Sequence, residues 1–184
     1  MAIPLIQSFS NPTEAVGACI DSGVSIFETG LDVAVIQARY TEYIEQGILG
    51  GMSLSAVMQI VPVVEDLMSA LDSYGIMRPD TVKTLYQHLE TGQGSHLDFE
   101  GMSQGITLLI PVAHDSLFTK HTPGNGPREL QASYSPGEIL LLRQRINRDP
   151  ATEHSYNIFT RPEDVKYSGK RIVISLDAPL ADRV

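Results

Sequence analysis

The residues best suited to chemistry lie in the middle of the chain: His88, then His96 and Asp98, then the adjacent pair His114-Asp115, then His121. Imidazole and carboxylate donors together suit a divalent Zn, Mn or Fe ion, which lowers the pKa of bound water and polarises a bound ester. On that basis His88, His96, His114 and Asp115 form the candidate metal set, with His114 and Asp115 also the candidate catalytic pair. Other familiar chemistry is missing. The chain has no Gly-x-Ser-x-Gly elbow, no phosphate-cradling glycine loop after a strand, no His-Glu-x-x-His and no pair of cysteines. Its single cysteine, Cys19, sits between Ala18 and Ile20 and suits packing better than nucleophilic attack.

The run Val112-Ala113-His114-Asp115 resembles the start of the HD-type motif of helical metal-dependent phosphohydrolases. The resemblance covers a few residues; the glycine that usually follows the pair is absent, and neither Asp149 nor Asp164 falls in a helix able to supply the last ligand. In helical phase, Glu100, Ser103, Gln104, Thr107, Pro111, His114 and Asp115 fall on one polar face, opposite Phe99, Met102, Ile106 and Leu109. A solvated edge and a water-filled cleft both predict that pattern.

Helices are the elements expected to position these groups. Asn11-Pro12-Thr13-Glu14 supplies a cap, a first-turn proline and an early glutamate for a helix that stops near Gly23. Residues 24–29 are too short for periodicity to decide between strand and helix. Apolar residues at spacings of three and four then predict helices over 31–47, 51–75, 78–92 and 99–120. Two of them are long and contain a proline, Pro62 and Pro111, and a bend is expected near residues 58–62. Short identities (Gly51-Met52-Ser53 with Gly101-Met102-Ser103, Pro62-Val63 with Pro111-Val112) are consistent either with a duplicated helix pair or with coincidence.

Residues 122–137 are rich in glycine, proline and serine and predict a linker. Beyond it, 138–146 alternates like a strand, although Ser135-Pro136-Gly137-Glu138 also fits a helix cap; 154–160 and 171–176 are further strands. The expected fold class is therefore α+β: an acidic, mainly helical domain of about five helices over 1–121, a linker over 122–137, and a small antiparallel β element over 138–184.

Composition bounds the function. The chain has 184 residues, 42% hydrophobic and 19% charged, which is enough for a folded core. Of its 13 basic and 22 acidic residues, giving a net charge of −9, only Arg39, Arg78, Lys83 and Lys120 are basic before residue 121. Such an acidic part repels nucleic acid. No run is apolar enough to span a membrane, and Met1–Pro12 lacks a signal-peptide pattern, so a cytoplasmic protein or one assembled into a particle is expected. Without a complete catalytic constellation, the leading expectation is a non-enzymatic assembly or interaction protein, of the kind found in a phage or other mobile element. It would bind protein partners or copies of itself through the C-terminal strands, with no cofactor. The alternatives are the metal-dependent phosphohydrolase and a small-molecule bundle lined by Tyr40, Tyr43, Tyr74 and Tyr86.

Overall fold

The computed structural model of the chain describes residues 6–45, 52–75, 83–89, 104–113, 117–123, 130–134, 136–145, 156–157 and 169–177. Helix α1 (Pro12–Ser22) starts where its local chemistry dictates. Asn11 Oδ1 accepts from the backbone N–H groups of Thr13 at 2.9 Å and Glu14 at 3.2 Å, and Pro12 needs no partner for a missing N–H. It ends at Gly23, whose φ of 91° closes the helix through a hydrogen bond from its N–H to the Cys19 carbonyl. Helix α2 spans Val33–Glu45. The apolar stretch that follows is two helices, α3 (Leu54–Ile60) and α4 (Val64–Ser73). Pro62 lies between them, where its ring and missing N–H turn the expected bend into a break.

The rest of the described chain is β-structure. Strands β1 (Ser8–Phe9), β2 (Val24–Glu28), β3 (Lys83–Leu89), β4 (Gln104–Ala113), β7 (Glu138–Arg145) and β9 (Gly169–Asp177) form a six-stranded sheet in the order β1-β2-β7-β4-β9-β3. Only β1 and β2 are parallel; the other neighbours are antiparallel. Strands β5 (Leu117–Pro123), β6 (Leu130–Tyr134) and β8 (Tyr156–Asn157) form a second sheet in the order β6-β5-β8.

This architecture overturns the expected helical domain followed by a small β element. The segments expected as helices over 78–92 and 99–120 contain β3, β4 and β5, and 138–145 is the interior strand β7. A duplicated helix pair falls with them, because the second copy is strand. The physical reason is visible in β4. Residues 106–112 are all buried, and both faces of the strand carry apolar side chains with Thr107 the one polar exception, so the run contains helical spacings as a by-product. Pro111 is tolerated in this strand because pairing with β7 has ended at Leu109 and the register with β9 shifts between Pro111 and Ala113.

One face of the large sheet packs against the helices. Phe27, Ile106, Leu108, Ile110, Val112, Ile139, Leu141, Ile172 and Ile174 join Val16, Cys19, Ile36, Tyr40, Val57, Leu67 and Leu71 in one core. Ser25 on that face donates from Oγ to the Ala15 carbonyl at 2.6 Å, tying β2 to α1. The opposite face is covered as well: Thr107, Leu109, Leu140 and Leu142 are fully buried yet lie outside the helix-packed core. Among the described residues, no helix is long and apolar enough to cross a membrane.

Candidate functional site

Strand alternation sorts the large sheet into rows on its two faces. On the face away from the helices, one row runs Lys83, Ser175, Thr107, Leu142, Val24, and the next runs Leu85, Val173, Leu109, Leu140, Ile26. The third row is Gln87, Arg171, Pro111. Ile172 and Ile174 belong to the helix-packed core, so the two-residue period assigns position 171 to this other face. The middle row is apolar throughout, and the row beside it brings in a guanidinium and an amide. The register of β4 with β9 shifts between Pro111 and Ala113, next to that row.

The chain leaves the large sheet at Leu89, in register with Gly169, and returns at Gln104, in register with Arg145, which is the other end of the sheet. It leaves again at Arg145 and returns at Gly169, passing β8 on the way. The crossings over 90–103 and 146–168 thus connect the two ends of the large sheet in opposite directions. His96 and Asp98 belong in sequence to the first, and His154 to the second, two residues before β8.

Of the candidate ligands read from the sequence, His88 is on β3 in register with Lys170, in the row beyond Tyr86 and Ile172 on the helix-packed side. His96, His114 and Asp115 lie outside the described residues, as does Asp98. His121 is on β5 opposite Leu130. Among the described residues, no group of three or more His, Cys, Asp or Glu is placed to hold a metal. Gln87 and Arg171 carry no local motif, and strand register alone brings them into one row. His96 and Asp98 are two metal-donor residue types at i and i+2 in the sequence.

Two other places have site-like features and different chemistry. Cys19 is fully buried in the helix-packed core, and loss of hydration pushes its thiol up to about 12, with Arg143 acting in the opposite sense. It remains a protonated packing residue at neutral pH. Between α2 and α3 lies a cavity of about 400 Å³ lined by Arg39, Glu42, Tyr43, Met58, Gln59, Ile60 and Pro62. Tyr43 is thus beside the cavity, whereas Tyr40 is 1% exposed in the core.

No protein-family model and no curated protein matches the sequence. Solved structures do match the fold. A Pseudomonas putida prolyl-4-hydroxylase superposes with a TM-score of 0.61 at 10% identity, covering 91% of this chain and 99% of that one. An oxidoreductase of the 2OG-Fe(II) oxygenase family from Burkholderia pseudomallei gives a TM-score of 0.59 at 10% identity, covering 96% and 98%. The likeness is one of fold. It corrects the expectation of a non-enzymatic structural or accessory protein of a phage or virion, since the matching structures are oxygenase-family enzymes and nothing in them points to a phage. The helical phosphohydrolase falls too, because 104–113 and 117–123 on either side of His114-Asp115 are strands and supply no helical polar face.

Proposed function

We propose that this chain is an Fe(II)-dependent oxygenase whose co-substrate is 2-oxoglutarate (2OG). The observation that carries the reading is the meeting of an oxygenase-like fold with a His-x-Asp pair in the crossing from β3 to β4 and an arginine on β9.

The donor set fits the metal. His96 and Asp98 from the first crossing and His154 from the second supply two imidazoles and one carboxylate, the set used by non-haem Fe(II) oxygenases with positions left open for reactants. Bound there, Fe(II) would supply the redox chemistry toward dioxygen that protein side chains lack. The chain's own contribution is positioning. Arg171 is suited to the far carboxylate of the co-substrate, because guanidinium offers a planar fork of donors that matches a carboxylate. Leu109, Leu140 and Ile26, buried in the neighbouring row, keep water from that side of the sheet, which strengthens an ionic contact beside them.

The test compares Fe(II) binding and 2OG-dependent oxygen uptake in the wild type, the separate variants His96→Ala, Asp98→Ala and His154→Ala, and the control His121→Ala. The three ligand variants are expected to lose Fe(II) affinity and oxygen uptake while the control keeps both. Unchanged Fe(II) binding in the ligand variants, or oxygen uptake indifferent to 2OG, would overturn the reading.

A further inference from the structure

We propose that the cavity between α2 and α3 is a binding site for a free α-amino acid with an apolar side chain. It lies in the helical layer, and the proposal stands or falls independently of the oxygenase reading. Burial grades the lining of this cavity of about 400 Å³. Ile60 is 2% exposed, Tyr43 and Met58 are half-buried against the core, and Arg39, Glu42, Gln59 and Pro62 are exposed. The result is an apolar interior with a polar mouth, at a volume within the usual range of small-molecule sites.

Two opposite charges stand side by side at that mouth. Arg39 and Glu42 are three residues apart on α2, which makes them neighbours on one helix face. Among the described residues no ion pair engages either of them, so a guanidinium and a carboxylate are both available to a ligand. The end of α3 supplies a further acceptor. Pro62 has no N–H to give the Met58 carbonyl one turn back, and the Val61 N–H donates instead to the Val57 carbonyl at 2.7 Å. The Met58 carbonyl therefore lacks a helical partner at the negative end of α3, beside a cavity that both Met58 and Pro62 line.

The surrounding charge selects the class of ligand. Over residues 6–75 Arg39 is the only lysine or arginine, against nine aspartates and glutamates. A simple anion would approach through that acidic field, and a simple cation would be opposed by Arg39. A zwitterion carries no net charge and satisfies both groups: its carboxylate meets Arg39, and its ammonium meets Glu42 and the Met58 carbonyl. Its apolar side chain then reaches Tyr43, Met58 and Ile60, where it leaves water.

Calorimetric titration of the full chain with L-leucine tests this, beside three analogues that each lack one feature. These are 4-methylpentanoate without the ammonium, isoamylamine without the carboxylate, and glycine without the apolar side chain. Leucine is expected to bind, and each analogue to bind at least about fivefold more weakly, the size of one favourable exposed ion pair. Arg39→Gln should weaken leucine by about that factor and leave isoamylamine unchanged, whereas Glu42→Gln should weaken leucine and leave 4-methylpentanoate unchanged. Both positions are exposed on α2, so thermal melts of the variants should match the wild type. Absence of leucine binding up to its solubility limit would overturn the proposal. So would an analogue that binds as tightly as leucine, or leucine binding indifferent to both substitutions.

Discussion

Replacing Thr107 by aspartate separates the observed architecture from a helical one. In helical phase, position 107 lies on the polar face, and a carboxylate there costs little. In the structure Thr107 is 0% exposed at the centre of β4, in register with Leu142 on one side and Ser175 on the other. A buried carboxylate avoids the cost of an unhydrated charge by staying protonated. Holding a group of ordinary pKa about 3.9 protonated at pH 7 costs roughly 1.36 kcal/mol for each of about three pH units, or about 4 kcal/mol. At pH 5 the same cost is about 1.5 kcal/mol. The folded pKa is raised, so stability is greatest below the unfolded value and falls as pH rises through the window from about 4 to 7. Urea unfolding of wild type and Thr107→Asp at pH 5, 6 and 7 should therefore show a deficit that grows by about 2.5 kcal/mol across the series, with unfolding outright at pH 7 if the reserve is small. Thr41→Asp, at an exposed position of α2, serves as the control and should stay within about 0.5 kcal/mol. A Thr107→Asp variant matching that control at every pH would refute burial of both faces of the large sheet.

Two more expectations concern the helical layer. The Cys19 thiol, ordinarily near 9.0 and pushed by burial to about 12, stays protonated in the fold after it would ionise in the unfolded chain. Stability should fall between pH 9 and 12 by up to roughly 1.4 kcal/mol per unit, and Cys19→Ala should flatten that slope; a thiol reagent that labels the native protein as fast as the unfolded one would contradict the burial. At Gly17 an added Cβ would stand 2.6 Å from Tyr74 Oη, the far end of that side chain, so Gly17→Ala should gain less than the roughly 1 kcal/mol that helix propensity alone gives, and Tyr74→Phe should restore the missing part. Additive effects in that double variant would show that α1 and Tyr74 do not meet there.

Much of the helical layer was legible in the sequence because its signals are local. Asn11, Pro12 and Gly23 delimit α1 through hydrogen bonds and backbone angles that need only near neighbours, and Pro62 interrupts its helix for the same reason. Residues 138–145 alternate after Pro136-Gly137, and they form a strand. The stretch over 104–113 was not legible as a strand. Leu108 and Leu109 point to different faces, and both faces are buried, so the period of two that marks a half-exposed strand is absent.

The sequence by itself determined the chemical inventory: the histidines and aspartates that suit a metal, a lone cysteine placed for packing, and the caps that begin and end α1. It also determined that the chain has apolar material enough for a core. Tertiary structure alone decided which of these residues belong together, because partners in a sheet are chosen by register between segments far apart in the chain. Gln87, Pro111 and Arg171 share a row only through the pairing of β3, β4 and β9. In β4 that pairing is accompanied by burial on both faces, and the burial erased the periodic signal from which the pairing might have been foreseen.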